Sequence, residues 1–392
     1  MKIECNKNRI TYLLSLFKMT EEELLCAINK DLKNKITWQD IYSNEIELNH
    51  LKRIDKVFNK GLFYYSDPTT PKKDASISIF FRKDSFTSDL NLGARQRVRE
   101  FEEIKTQISA LSKLSNFNLS RILPTFSVEN DPKQIAFSLR NEILPSFVKG
   151  KRDFLKAFIN KLGEKKIFVF EFVDTANKKE KAKIDGFFIK PNAIVLKRNQ
   201  ESLSRELFTL AHELGHYFLY AEDIDEISFE EINVENHTIS EIENWCNSFA
   251  YNLLLGDVNA NELDNISHFD YKIDYGFDIV TSIADRTHLS QLAIFTNLFL
   301  QKKLVFEDYD NIREELFQKQ QEWIESMRCR REKAIELGIE FQGRNPKPIT
   351  ADLVYSVYNR ALNTGIISEY EYCTALKVKP TEITKLFYGG HH

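Results

Sequence analysis

The chain has 392 residues, of which 42% are hydrophobic and 29% charged, a balance that excludes an intrinsically disordered protein and is long enough for two or three domains. A net charge of −4 gives no global attraction to nucleic acid, so any DNA contact needs a local basic patch. The five cysteines are scattered without Cys-x-x-Cys spacing, no apolar run approaches the ~20 residues of a membrane span, and the amino terminus lacks a signal-peptide core; a cytoplasmic protein with no membrane partner is expected.

Residues 1–66 show helical periodicity through Ile10, Leu13, Leu14 and Phe17. Thr20 can cap a second helix, with Glu23 closing a capping box. Leu51, Ile54, Val57 and Phe58 repeat at helical spacing before an exit through Leu62-Phe63-Tyr64. The segment reads as a helix-turn-helix-like helical module. Its eleven Lys/Arg against nine Asp/Glu leave an excess of only +2, which suits a degenerate protein-contact module as well as a DNA reader.

Residues 67–130 read as a linker and a long helix. Residues 68–74 are rich in Pro, Thr and Lys, residues 76–81 alternate as a short strand, and residues 92–114 form one charged amphipathic helix. Arg95, Arg97, Arg99, Glu100, Glu102 and Glu103 are expected on its solvated faces.

Residues 131–258 form the next domain. Asp131-Pro132 opens a helix through Ile135, Ala136, Leu139 and Ile143. Ile167-Phe168-Val169-Phe170-Glu171-Phe172-Val173 reads as a buried or alternating strand, followed by a polar loop over 175–183. With later strands at 184–189 and 193–196 it gives a small mixed or antiparallel sheet, whose edge suits an extended peptide.

The segment Phe208-Thr209-Leu210-Ala211-His212-Glu213-Leu214-Gly215-His216 contains His-Glu-x-x-His. On a helix, His212 and His216 lie on neighbouring turns about 40° apart, so both imidazoles can reach one metal ion. Glu213 points near that ion without having to bind it, the place of a general base for a zinc-activated water. A catalytic zinc needs a third protein ligand. The best candidate is Glu243, at the start of a second helix with an apolar face through Cys246, Phe249, Ala250, Leu253 and Leu254. A carboxylate between Glu222 and Glu235 is the alternative. His237 is either an oxyanion stabiliser or a loop cap, and the loop reading is preferred. His50, His268 and His288 have no motif around them and read as structural, and the terminal Gly389-Gly390-His391-His392 carries no functional weight. No Gly-rich phosphate loop, Ser-His-Asp order or nucleophile elbow is present.

Residues 259–392 read as a helical carboxy-terminal region. Residues 279–294 and 376–383 have a helix-turn-helix cadence. Between them, residues 309–342 form a charged amphipathic helix with Leu316, Trp323 and Met327 at core-compatible spacing. Packing against the domain of residues 131–258 or against another copy of the chain is the preferred reading of all three.

The His-Glu-x-x-His segment, followed by Glu243-x-x-Cys246-Asn247-x-Phe249-Ala250-x-x-Leu253-Leu254, closely resembles the ImmA/IrrE family of bacterial metallopeptidases. The strands at 184–189 and 193–196 also resemble the pair that leads into that family's active-site helix, and the likeness covers residues 131–256. The resemblance implies an α+β, mostly helical fold with a zincin-like core. It implies His212, His216 and Glu243 as ligands of Zn²⁺, with Mn²⁺ as the alternative, and Glu213 as catalytic base. It also implies a regulatory endopeptidase of stress responses or mobile elements, acting on a protein such as a helix-turn-helix repressor or an antitoxin-type partner. Lys197-Arg198-Asn199-Gln200-Glu201 stands as the linker into the active-site helix, and Gly256-Asp257 replaces the Met-Pro turn of many relatives. The competing reading is a DNA-binding regulator or antitoxin-like protein whose metal site is structural or vestigial. Glu213 separates the two, since a metal scaffold needs the histidines but not the base.

Overall fold

The computed structural model describes residues 1–71, 90–174, 180–198, 200, 202–222, 240–266, 269, 274–338, 348–349, 351–381 and 383. The expected strand at 76–81, the alternative ligands after Glu222, His237, His268 and the terminal histidine pair lie outside these residues. The fold is α+β and mostly helical. Two compact units are present, residues 1–104 with 180–183, and residues 105–179 with 184–392. Among the described residues, no helix is long and apolar enough to cross a membrane.

In the first unit, helices α1 (Lys7–Leu16), α2 (Glu21–Asn29), α3 (Trp38–Ile41), α4 (Leu48–Phe58) and α5 (Leu62–Ser66) surround one core. Each starts for a local reason where a cap is present. The Asn6 side chain accepts from Asn8 N–H, and Thr20 and Glu23 form the expected reciprocal capping box. On α4 the apolar positions Leu51, Ile54, Val57 and Phe58 all face inward. The unit also contains an antiparallel ladder of β1 (Lys2–Glu4) and β2 (Glu45–Glu47), which the sequence pattern did not suggest. Three residues are too few for period-two alternation to register.

The long helix α6 (Leu92–Leu114) forms where expected, but its arginines do not lie on a solvated face. Glu102 is buried, and the side chains of Arg95, Arg97 and Arg99 are largely covered. Arg95 donates to Leu90 O at 2.7 Å and Lys18 O at 3.0 Å, while Arg99 pairs with Glu102 at 3.0 Å. The helix buries Ala94, Val98 and Phe101.

The second unit holds a three-stranded mixed sheet in the order β3-β5-β4, from β3 (Phe168–Val173), β4 (Gly186–Ile189) and β5 (Ala193–Arg198). β3 runs parallel to β5 with Phe168 opposite Ala193, and β4 runs antiparallel with Phe187 opposite Val195. Helices α7 (Pro132–Ile143), α8 (Lys151–Glu164), α9 (Leu203–Leu219) and α10 (Glu241–Leu255) accompany the sheet. Asp131 caps α7 and Pro132 occupies its first turn. Arg140 of α7 closes the end of α10 by donating to the carbonyls of Leu253 and Leu254. The chain continues through α11 (Asp257–Asp264), α12 (Asp274–Thr287), α13 (Gln291–Leu300), α14 (Phe306–Glu336), α15 (Asp352–Asn363) and α16 (Glu369–Leu376). The α12–α13 pair matches the helix-turn-helix cadence, but Val280, Ile283, Leu289 and Ile294 bury its apolar face. His288 is held structurally, with Nε2 at 2.7 Å from Val148 O and its ring stacked on Phe147.

Arg198 was read from sequence as part of a linker; it is instead the last residue of β5 and fully buried. Its guanidinium contacts Glu171 of β3 at 2.5 Å and Glu206 of α9 at 2.6 Å, tying the sheet to the helix that follows. Glu171 also accepts from the Ile349 N–H. Two carboxylates share one guanidinium away from water, and burial pushes the Glu171 carboxyl up to about 7 despite the Arg198 contact.

Between the ordinary glutamate pKa, about 4.3, and about 7, folded Glu171 keeps a proton that the unfolded chain has released. Its contribution to stability is therefore full at low pH and is lost as pH rises through this window. Replacing Glu171→Gln, which keeps the shape and one acceptor oxygen but removes the titrating carboxyl, should remove a pH dependence of about 2 kcal/mol between pH 5 and 7. Parallel denaturant titrations of the two proteins across that range would disprove this if their slopes with pH were equal.

Candidate metal centre

Two helices build the site. α9 begins at Ser202, whose side chain accepts from Arg205 N–H, and ends at Tyr220 in the left-handed region. Its Leu207, Leu210, Ala211, Leu214, Tyr217 and Phe218 are buried, so most of its circumference faces protein and the two histidines are directed inward with it. α10 begins at Ser240, whose Oγ accepts from Glu243 N–H at 3.2 Å, fixing the turn that carries Glu243.

The structure brings His212, His216 and Glu243 together. His212 Nε2 lies 3.0 Å from Glu243 Oε2, His216 Nε2 lies 3.1 Å from Glu243 Oε1, and the two Nε2 atoms are 3.1 Å apart. They form the one group of His, Cys, Asp or Glu able to hold a metal that is found among the described residues. Donors bonded tetrahedrally at the usual Zn–N and Zn–O lengths would stand roughly 3.3 Å apart, so the spacing fits a zinc-sized ion after a small outward shift. Two imidazoles and a carboxylate are also the donor set of a catalytic rather than a structural zinc.

The close approach of the helices depends on Gly215. A Cβ there would stand 3.0 Å from Cys246 Cα and 3.1 Å from its Sγ, so a larger residue would push α10, and Glu243 with it, away from the histidines. Gly186 of β4 has a matching role toward Glu213. A Cβ at Gly186 would meet Thr209 Cγ2 at 2.8 Å, Glu213 Cγ at 3.0 Å and its Oε1 at 3.1 Å. The Glu213 carboxylate thus lies buried against the start of β4, an outer strand of the sheet.

Two neighbours of the donors were not singled out by the sequence. Asn247 Oδ1 lies 2.9 Å from His212 Nδ1, so an Nδ1–H donating to it leaves Nε2 free as a lone-pair donor. The available signal was spacing, since Asn247 is four residues after Glu243 and shares its helix face. Cys246 packs against His216, and burial pushes its thiol up while the His216 contact opposes that rise.

The metal-free site is internally ion-paired. Burial alone would depress His216, but the Cys246 and Glu243 side chains outweigh it and hold the ring's pKa well above the usual histidine range. Burial alone would raise Glu243, but its hydrogen bonds from His212 and His216 hold it well below the carboxylate range. A cation entering the site replaces this proton in its contacts with Glu243.

Comparison with known proteins agrees with this geometry. Residues 166–290 match the model of the IrrE N-terminal-like domain, a stretch that contains the sheet from β3 onward and both site helices through β5, α9 and α10. The chain is also 33% identical over 98 residues to Metallopeptidase ImmA of Bacillus subtilis (strain 168). That alignment covers 25% of this chain and 56% of the relative, so the chain spans a little over half the length of the curated protein it matches. Over residues 166–290 the chain is thus similar to the ImmA/IrrE metallopeptidases, and the similar stretch is the one that carries His212, His216 and Glu243.

Proposed function

We propose that this protein is a zinc-dependent regulatory endopeptidase that cuts a partner protein, such as a helix-turn-helix repressor or an antitoxin-type protein. The observation that carries the reading is the convergence of His212, His216 and Glu243 with Glu213 one residue from a donor. In this reading His212, His216 and Glu243 hold the metal, with zinc favoured over manganese because three N and O donors in a tight buried set suit a tetrahedral ion. When bound, such an ion lowers the pKa of water and polarises a carbonyl.

The chain's own residues supply the rest. Glu213 takes the proton of the attacking water and returns it to the leaving amine. Asn247 holds His212 in the tautomer that presents Nε2. The outer edge of β4, beside Glu213, offers backbone groups to an extended peptide, which would lay a scissile bond next to the base. Repressor-type substrates rest on the family resemblance, and the helical first unit is a module for contact with such a partner or with DNA.

Three outcomes test this assignment. His216→Ala should abolish stoichiometric zinc binding, whereas Glu213→Gln should keep the metal and lose cleavage of a cognate repressor by about 10²–10⁴-fold. Elemental analysis beside a cleavage assay reads both, and equal metal loss in the two variants would remove the division of roles. Asn247→Ala should weaken zinc affinity by about 10–100-fold without unfolding the chain. A chelator competition showing unchanged affinity would leave Asn247 with no part in the site.

Because the metal-free His216 holds its proton well above the ordinary range, zinc binding should release a proton at neutral pH. Affinity should fall about tenfold for each pH unit lowered below that raised pKa, and level off above it. The same competition run at several pH values would contradict this if affinity were flat from pH 6 to 8.

A further inference from the structure

Helix α14 is 31 residues long, about 46 Å of rod, yet only its first two turns are packed. Tyr309 and Ile312 are buried, with Tyr309 Oη 3.1 Å from Thr296 Oγ1 and its ring stacked on Phe299. From Arg313 to Gly338 no residue is buried. This stretch is far from uniformly polar. Phe317, Trp323, Ile324, Ile335 and Leu337 are exposed, Trp323 and Ile335 by 62% and 64%.

Phe317, Ile324, Met327 and Ala334 fall on the 3–4 spacing of a helix-pairing seam, whose two rows are completed by the polar residues Arg331, after Phe317 and Ile324, and Gln320, before Met327 and Ala334. The charges along the rod indicate what covers it. Residues 306–325 carry seven carboxylates and two cations, whereas residues 326–338 carry four cations and two carboxylates. A parallel pair would set like charge on like. An antiparallel pair sets the acidic half of one helix on the basic half of the other, and a two-fold axis makes the same match twice.

We propose that the exposed length of α14 is a homodimerisation surface, on which the same helix of a second copy lies antiparallel. The seam then sets Ile324 of one copy against Met327 of the other and Phe317 against Ala334, with Gln320 facing Arg331. Trp323 lies on the flank of the seam that faces Arg330 of the other copy, which allows a cation over an indole face. This inference is independent of the metal site and of the peptidase reading.

Light scattering and sedimentation of the purified chain should give twice the chain mass. Ile324→Glu should weaken the dimer on the order of 30-fold or more, because it places an unpaired charge at the centre of the seam. Zinc content and far-UV spectra should stay unchanged apart from fraying of α14. Orientation is read by cross-linking in a Cys26→Ser, Cys329→Ser background, which removes the two exposed thiols. Gln320→Cys and Arg331→Cys chains should form a disulfide with each other when mixed and not with themselves. A monomer at every concentration tested, or a dimer indifferent to Ile324→Glu, would overturn the proposal. Self-cross-linking of either single variant would overturn the antiparallel arrangement.

Discussion

The site rests on how closely two helices approach at Gly215. One helix can supply two imidazoles four residues apart, but a third donor has to come from another element, and its distance from the pair is set where the helices touch. That contact is Gly215 against the Cα of Cys246, with no room for a side chain. Cys246 is three residues from Glu243, so the point of contact and the third donor are one turn apart. A single methyl group at position 215 therefore acts on the metal centre through a lever of only one turn. The glycine's value here is its volume, since its backbone is ordinary helix.

Around this contact, polar groups hold each element in register. The Ser240 cap fixes the first turn of α10, Asn247 fixes the ring of His212, and the Arg198 guanidinium fastens α9 to the sheet through Glu206. Buried ion pairs seldom add much net stability, because desolvation offsets the attraction. Their geometric demand is the larger effect: a guanidinium between two carboxylates tolerates little displacement of β3, β5 or α9. The same helix thus carries a structural ionic contact at Glu206 and the candidate site residues His212, Glu213 and His216 within the next three turns.

Much of this organisation was legible in the chain. Capped, strongly periodic helices such as α2, α4 and α7 announce themselves because caps and amphipathic spacing act within a few residues. The three residues that come together were legible for the same reason: His212 and His216 are related by one helical turn, and Glu243 opens a helix with an unmistakable apolar face. The β1–β2 ladder was not, because its strands are three residues long and more than forty apart. Nor was the covering of Arg97, Arg99 and Glu102, since a charged residue on an amphipathic helix reads as solvated unless its neighbours in space are known.

Arg198 marks the boundary most sharply. In sequence it stands in a polar run, Lys197-Arg198-Asn199-Gln200-Glu201, indistinguishable from a surface connection. Its burial follows from β5 pairing with β3 through Val173 and from two carboxylates at positions 171 and 206, neither of which announces a partner. Local periodicity and side-chain chemistry were enough to indicate which of the capped helices form and which residues could ligate a metal. That His212, His216 and Glu243 lie about 3 Å apart, that Gly186 leaves space for Glu213 and that Arg198 is internal each depend on a separation between elements, which no local pattern encodes.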